Sequence, residues 1–467
     1  MPIDRRQILA GITAAATGWV VPRGATAADL GDRIVERARV LAARGDAALT
    51  VLHPEGSEAN LKPVVAAFTD ATGVAVRLIP APADDVNSRL MLAAMSDEAF
   101  DLALPATFAV PDLVEAGALQ PLDGFQRAMG GDDTSRSLYT LGDYYNDKLY
   151  GFQTDGDVYV MFYNTKLLHD PEFARAHEAE YGSRPAPAKT WEELDRMLAL
   201  YHRPEQGRFG GALYRTPDYV CWEWWIRLHA KGVLPFDPNM RPRIVEPGAV
   251  LALEELVAAS RFLTPNANSA GLWENWDTFA RGNVLCSIGW GGSQKYFRQQ
   301  SAEFANNVVA ALTPGGDGNA FSYFNWGWNF SVPGNSRHPE LAYLLARYAV
   351  EAVPSTIAVR ETGGFFDPFL AQHYNDQKIR SLYGEQFLAV HKTSMEKAIP
   401  DLYLRGRTLY MRTLSDNLLA VDRREITPRE ALNSVARRWE NITDALGRTE
   451  QVRQWRLLLR RYPPGFT

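Results

Sequence analysis

The chain has 467 residues, of which 46% are hydrophobic and 22% charged. This composition is typical of a globular protein, and the length exceeds what one ordinary core accommodates, so we expect two lobes or domains. The net charge is −6. Nucleic-acid binders need a basic face to neutralise phosphates, and the overall charge argues against that class.

The first residues have the three-part layout of an export signal. Arg5-Arg6 precede an apolar stretch, Ile8–Val21, and Ala25-Thr26-Ala27 forms a small-residue cleavage site. The apolar stretch is shorter than the roughly 20 residues that span a bilayer. We therefore predict that residues 1–27 are a signal peptide. The arginine pair resembles a twin-arginine signal, although Asp4 replaces the usual Ser or Thr.

The two cysteines are Cys221 and Cys286. Neither belongs to a Cys-x-x-Cys motif of the metal-binding type. A disulfide is compatible with an oxidising compartment, and two buried thiols fit equally well. The sequence leaves both alternatives open.

The first part of the mature chain alternates helices and strands. The predicted elements are a charged helix Asp29–Asp46, a strand Ala48–His53, a helix Asn60–Thr72 closed by Gly73, a strand Val74–Ile79, a helix Val86–Met95 and a strand Phe100–Leu104. This order predicts a parallel sheet covered by helices, an α/β architecture. Ligands of such sheets bind beyond the carboxyl ends of the strands, which favours Glu55-Gly56-Ser57 and Ala106-Thr107-Phe108 as cleft positions.

From about Asp143 the pattern changes. Leu149–Asn164 has a polar centre followed by a β-rich run, which indicates a crossing between lobes. After a proline-rich entry, Thr190 and Glu193 form a predicted capping box at the start of a helix. No repeat of 20–50 residues is evident, which argues against solenoids and propellers.

Several phrases resemble the family of extracellular solute-binding proteins (family 1) that serve sugar-type ATP-binding-cassette (ABC) importers. They cover nearly all of the mature chain and occur in the family's order. These phrases are Phe68–Val74, Asp101–Asp123, Tyr150–Leu168, Lys189–Leu194, Ala398–Tyr403 and Ile426–Thr443.

The resemblance implies a two-lobe periplasmic binding protein of type II-like fold, with hinge strands, a ligand cleft between the lobes and C-terminal helices. Lobe 1 would comprise residues 48–152 plus 328–395, and lobe 2 residues 158–323 plus 400–467. The chain would cross near Phe152–Val158 and Phe324–Phe330. The family further implies a periplasmic monomer without metal or cofactor that binds a sugar or polyol and docks on a membrane permease.

The polar candidates for the ligand site lie at predicted loop ends. Asp155 and Asp157 stand at the first crossing, where the resemblance places an acidic ligand contact at Asp157. Two carboxylates around a glycine could instead bind Ca²⁺ or simply form a turn. The other polar or loop-end candidates are Glu55, Ser57, Thr107 and Phe108.

Aromatic side chains could stack on the C–H face of a sugar ring. Trp290 is the first choice, because it follows the predicted strand Val284–Ile288 in a glycine-rich loop. Packing in the core is the alternative for each aromatic residue, and at strand spacing only one of Trp326 and Trp328 easily faces a cleft. The aromatic candidates are Tyr219, Trp222, Trp276, Trp290, Trp326, Trp328 and Tyr410.

Two other functions compete with a transport role. A secreted carbohydrate-active enzyme needs two carboxyl groups about 5–10 Å apart on either side of the scissile bond. Asp155 and Asp157 point the same way along a strand, so they are poorly placed for this, and no hydrolase or metal-protease motif occurs. An exported scaffold or delivery partner of a periplasmic enzyme remains as an alternative. The sequence predicts no catalytic residue.

Overall fold

The computed structural model describes residues 27–45, 48–130, 137–217, 219–316, 322–324, 327–464 and 466. The predicted signal peptide therefore lies almost entirely outside the described residues. Trp326, a predicted ligand contact, lies outside them as well.

The strands in chain order are β1 Ala48–Pro54, β2 Ala75–Ala81, β3 Leu102–Ala103, β4 Tyr144–Tyr145, β5 Lys148–Leu149, β6 Gly151–Gln153, β7 Val160–Asn164, β8 Phe209–Ala212, β9 Val284–Gly289, β10 Val308–Ala311, β11 Ser322–Phe324, β12 Asn329–Ser331 and β13 Ala398–Pro400. The helices are α1 Ala27–Ala42, α2 Glu58–Thr72, α3 Val86–Ala93, α4 Val110–Glu115, α5 Asp123–Met129, α6 Thr165–Leu168, α7 Pro171–Tyr181, α8 Trp191–Tyr201, α9 Val220–Ala230, α10 Pro247–Ala259, α11 Leu272–Ala280, α12 Gly291–Arg298, α13 Ala302–Ala305, α14 Pro339–Ala349, α15 Ala352–Val359, α16 Gln377–Tyr383, α17 Glu385–Glu396, α18 Arg407–Asp422, α19 Pro428–Ala445 and α20 Arg448–Leu459.

The first sheet has the strand order β2-β1-β3-β12-β6. Strand β1 runs parallel to both β2 and β3, as the alternation of helices and strands predicted. Strand β12 returns antiparallel to β3 and to β6. Helices α2, α14 and α15 pack around this sheet and form the first lobe with it. The successive residues Val51 and Leu52 of β1 are apolar and buried, as expected for a strand covered on both faces.

Local sequence signals fixed several helix ends. Helix α2 ends at Thr72 with Gly73 in the left-handed conformation at its C-cap, as predicted. Both hydrogen bonds of the predicted capping box are present at the start of α8. The Thr190 side chain accepts from the backbone N–H of Glu193, and the Glu193 side chain accepts from the backbone N–H of Thr190. The predicted strand Phe100–Leu104 is regular only over its central two residues, Leu102–Ala103.

The second sheet has the order β10-β7-β9-β8 and forms the centre of the second lobe. Strands β8 and β9 are parallel, whereas β7 is antiparallel to both of its neighbours. The chain passes from β6 in the first sheet to β7 in the second through residues 154–159, within the segment predicted as a crossing.

The C-terminal part of the predicted lobe division differs from what the contacts show. Residues up to 395 were assigned to the first lobe, yet α17 packs on β10 and β7 of the second sheet. The Gln386 side chain accepts from the backbone N–H of Ala310 and donates to its carbonyl, so it pairs with the open edge of β10. Phe387 stacks on Phe162 of β7 at 6.2 Å between ring centroids. These contacts depend on residues far apart in the chain, so local patterns did not show them.

Helices α18 and α19 pack on each other and on the second lobe, α18 through α9 and α19 through α10. Cys221 and Cys286 are both buried and are not joined in a disulfide, which resolves the alternative that the sequence left open. Among the described residues, no helix combines the length and the apolar character needed to cross a membrane.

Candidate functional site

A cavity of about 660 Å³ lies where the loops of the two lobes face each other. Its volume is within the range of about 300–1,000 Å³ that is usual for small-molecule sites. The first lobe contributes Glu55, Pro82, Ala83, Asp84, Trp328 and Phe365, of which the first four follow the carboxyl ends of β1 and β2. The second lobe and the first crossing contribute Asp157, Thr216, Pro217, Tyr219, Asn268, Ser269, Gly271, Leu272, Trp273, Glu274, Trp276, Trp290 and Gly292.

Six of the predicted site residues line this cavity, although they are spread over the chain from the first strand to the second crossing. They are Glu55, Asp157, Tyr219, Trp276, Trp290 and Trp328. The structure therefore brings together two predicted carboxylates and four predicted aromatic rings. Their contact with a ligand remains a prediction.

Trp290 is held by an aromatic cluster behind the cavity wall. Its ring centroid lies 4.8 Å from that of Tyr159, and 6.3 Å from those of Tyr219 and Trp222. Only 4% of Trp290 is exposed. This packing fixes the ring of Trp290, and the rest of its surface borders the cavity. The ring therefore presents a rigid plane to a ligand.

The other predicted residues that the structure describes lie outside the cavity lining. Ser57 is fully buried and donates to the carbonyl of Pro54, and Thr107 donates to the side chain of Asn329. The Arg407 guanidinium stacks on the ring of Phe108 at 4.2 Å. These side chains stabilise the loop ends of the first lobe.

Tyr410 and Trp222 are core residues. Tyr410 lies in α18, where its hydroxyl donates to Gln451 and shares a hydrogen bond with Thr443. Trp222 is 2% exposed and lies behind Trp290. An aromatic residue at helical spacing suits a core and a cleft equally well, and only the fold distinguishes the two.

Asp155 and Asp157 meet a third carboxyl group, Asp367. One oxygen of each of the three side chains lies within 4.8 Å of the others. The backbone N–H of Asp367 donates to Asp155 at 2.6 Å, and the N–H of Gly292 donates to Asp367 at 3.0 Å. Because Asp367 and Asp155 are 212 residues apart in sequence, their meeting depends on the tertiary fold.

A close backbone approach allows this cluster to form. A Cβ atom on Gly156 would lie 2.2 Å from the carbonyl oxygen of Pro368, and one on Gly291 would lie 2.3 Å from the carboxyl carbon of Asp367. The glycine of the Asp-Gly-Asp phrase and the first glycine of α12 therefore accommodate protein atoms. Gly292, the next glycine of α12, lines the cavity.

Burial, followed by repulsion from neighbouring carboxyl groups, raises the pKa of Asp155 and of Asp157 well above its ordinary value. Burial also raises the pKa of Asp367, to about 6, against the opposing effect of the Lys295 ammonium. Lys295 donates to the carbonyls of Gly364 and Phe366, both at 2.8 Å. Burial lowers the pKa of Lys295. The cluster therefore holds protons at mildly acidic pH.

A hard cation such as Ca²⁺ prefers six to eight oxygen ligands. Four of the six carboxylate oxygens in the cluster already accept hydrogen bonds from protein donors, namely the N–H groups of Asp367, Gly292 and Gly327 and the hydroxyl of Tyr383. This arrangement favours a cluster that shares protons over one that holds a metal ion.

Sequence reasoning missed Asp367 and Lys295. Asp367 directly follows the Gly363–Phe366 phrase, and Lys295 lies on α12 just after Trp290. A charged residue next to a glycine-rich turn was the available signal. That signal is weak, because exposed turns carry charged residues as often as sites do.

The pH dependence of stability tests the Asp367 carboxyl. We expect the unfolding free energy of the wild-type chain to fall relative to that of Asp367→Asn as the pH rises from about 4 to 6. The folded pKa, about 6, exceeds the unfolded value, so ionisation costs free energy only in the fold. Asp155, Asp157 and Lys295 face this carboxyl, and Tyr383 donates to it. Urea unfolding at intervals of one pH unit measures the difference, and a constant difference would contradict the prediction.

Similar folds are known among binding proteins with two lobes. An ABC transporter solute-binding protein from Thermotoga lettingae TMO, bound with alpha-D-tagatose, has a TM-score of 0.71 at 20% identity, with 85% of this chain and 99% of that chain covered. The maltose-bound T. maritima MalE3 has a TM-score of 0.70 at 16% identity, covering 85% and 99%. A solute-binding protein from Agrobacterium vitis S4 with bound D-mannitol has a TM-score of 0.69 at 17% identity, covering 86% and 99%.

At these identities the likeness shows a common fold, the two-lobe α/β architecture of a binding protein with a cleft between its lobes. The family model for bacterial extracellular solute-binding proteins matches residues 64–381, which is more than half of the chain. The chain therefore belongs to the family of bacterial extracellular solute-binding proteins, and the resemblance seen in the sequence is confirmed. No curated protein matches the chain significantly.

Proposed function

We propose that this chain captures a sugar or sugar-like polyol between its lobes and delivers it to the permease of an ABC importer. The observation that carries this proposal is that Trp276, Trp290 and Asp157 line the same cavity. A sugar presents C–H faces that pack on aromatic rings and hydroxyls that donate to carboxylates. The relatives bound with tagatose, maltose and mannitol support this ligand class.

Ligand binding would favour closure of the two lobes. Glu55, Trp328 and Phe365 line the cavity from the first lobe, while Tyr219 and Trp290 line it from the second. A ligand that contacts both sets gains more contacts in the closed state, and this differential contact shifts the equilibrium towards closure. A smaller radius of gyration with ligand in small-angle scattering supports this mechanism.

The transport role includes export to the periplasm, action as a monomer and binding without a cofactor. Sequencing the mature N-terminus tests the predicted removal of residues 1–27. Thermal-shift measurements with D-tagatose, D-mannitol and maltose test the ligand class. Chromatography of the sugar after incubation tests for turnover, which would favour a carbohydrate-active enzyme instead. A chain that binds none of these sugars but co-purifies with a periplasmic enzyme would favour the scaffold alternative.

Replacing Asp157 by Ala should weaken binding of the most stabilising sugar by roughly 5- to 30-fold, because a hydrogen bond to a charged or acidic group is lost, worth about 1–2 kcal/mol. Isothermal titration calorimetry measures the change. Asp70→Asn is the matched control, because Asp70 is exposed on α2 and does not line the cavity. Unchanged affinity in a folded Asp157→Ala protein would remove this residue from the site.

A further inference from the structure

The ionisable side chains among the described lining residues of the cavity are mainly acidic. Glu55, Asp84, Asp157 and Glu274 line the cavity, whereas its described lining residues include no lysine, arginine or histidine. Glu55 and Asp84 follow strands of the first lobe, and Glu274 lies on α11 of the second. Closure of the lobes would bring Glu55 of the first lobe nearer to Glu274 of the second, and like charges repel strongly where water is excluded.

The buried cation Lys295 belongs to the cluster of Asp155, Asp157 and Asp367 and does not line the cavity beside Glu55 and Glu274. Lys295 donates through Nζ to the carbonyls of Gly364 and Phe366, and it is not a lining residue. Glu55 and Glu274 are exposed at the mouth, and neither is in an ion pair within the part of the chain that the structure describes. Their carboxylates are therefore available to a ligand.

Each lobe contributes a pair of aromatic side chains to the cavity lining. The rings of Trp273 and Trp276 are 4.8 Å apart and nearly perpendicular, with an interplanar angle of 79°. On the opposite lobe, the rings of Trp328 and Phe365 are 6.2 Å apart. Ring faces attract cations, with Trp the most effective ring, and acidic groups beside them add to the attraction.

The hydrogen-bonding groups of the cavity lining also favour a cationic ligand. A protonated amine has only donors, and a carboxylate has only acceptors, so the two are complementary. The hydroxyls of a neutral sugar also need donors. Besides the indole N–H groups of its tryptophans, the described lining has hydroxyl or amide donors at Thr216, Tyr219, Asn268 and Ser269, and Ser269 already donates to the carbonyl of Asn266. A phosphate or carboxylate on the ligand would be repelled.

We propose that the ligand of this cavity carries a protonated amine, and that it is an amino sugar or an amino polyol. The sugar part rests on the function proposed above. The amine part rests on the carboxylates, the aromatic rings and the absence of a basic side chain in the described lining. The two parts can therefore fail separately.

Calorimetry on matched pairs tests the amine. The pairs are D-glucosamine with D-glucose, 1-amino-1-deoxy-D-sorbitol with D-sorbitol, and the deacetylated chitin disaccharide with cellobiose, and 1,4-diaminobutane is added as an amine without a sugar. We expect the amino member to bind at least about tenfold more tightly than its neutral partner, with a preference that falls as NaCl is raised.

The results of this calorimetry distinguish failure of the amine part of the proposal from failure of the sugar part. Equal or tighter binding of the neutral members overturns the amine and leaves the proposed sugar function standing. Binding of 1,4-diaminobutane alone upholds the amine and overturns the sugar. No binding by any member overturns both.

A charge-neutral substitution at the mouth gives a second measurement. Glu274→Gln should reduce the preference for the amino member several-fold and should weaken its salt dependence, because one carboxylate is lost while the shape is kept. Glu254→Gln is the matched control, since Glu254 is exposed on α10 and does not line the cavity. An unchanged preference in Glu274→Gln, with the diamine also failing to bind, would overturn the proposal.

Discussion

Replacing Trp290 by Ala should lower the free energy of unfolding by about 3 kcal/mol, near the lower end of the range for truncating a buried large aromatic side chain. The ring is 4% exposed and packs on Tyr159 at 4.8 Å. One part of its surface lies on the cavity, so the space left behind opens to solvent and the loss stays near that lower end. Chemical unfolding of the two proteins measures the difference.

The same substitution should weaken ligand binding beyond its effect on folding. Trp290→Phe keeps an aromatic plane and should recover part of the affinity, which separates loss of stacking from loss of the fold. Trp273→Ala is the matched control for stability. Trp273 lines the same cavity but is 54% exposed, so its removal should change the unfolding free energy by less than about 1 kcal/mol. Equal losses of stability in Trp290→Ala and Trp273→Ala would contradict the packing described here.

Removing Glu223 should destabilise the chain by about 3 kcal/mol, because it leaves the buried Arg215 guanidinium without its carboxylate, while Arg227 keeps its pair with Asp195. Glu223 on α9 accepts from Arg215 at 2.7 Å and from Arg227 at 3.0 Å, and all three side chains are at most 5% exposed. Burial alone would raise the pKa of Glu223, but Arg215 and Arg227 hold it below its ordinary value. Thermal and urea unfolding of Glu223→Ala measure the effect.

The control is another Glu–Arg pair at the same i,i+4 spacing, on the surface. Glu192 pairs with Arg196 on α8, and these side chains are 65% and 51% exposed. Such a pair contributes at most about 1 kcal/mol, so Glu192→Ala should change stability little. Since α9 begins beside Tyr219 and carries Trp222 behind Trp290, we also expect Glu223→Ala to weaken ligand binding. A Glu223→Ala protein as stable as Glu192→Ala would show that the buried ion pairs contribute little.

Much of the site could be predicted because its residues follow recognisable elements. Glu55 comes directly after the first strand, and Trp290 directly after β9, so the rule that ligands bind beyond strand ends places both at the cleft. Asp157 was placed by its position in the crossing. Tyr410 was predicted from its chemistry alone, and the fold puts it in the packing of the C-terminal helices.

The sequence by itself determined the first elements of the first lobe, from β1 to β3, the parallel order of these strands, and the ends of α2 and α8. These features depend on periodicity, glycine and capping residues that act within a few positions of one another. The tertiary structure alone decided which rings face the cavity, that α17 pairs with β10, and that Asp367 joins Asp155 and Asp157. The pairing of α17 with β10 joins residues 76 positions apart, and that of Asp155 with Asp367 joins residues 212 apart. An aromatic or acidic residue has the same local pattern whether it packs in a core or faces a cleft.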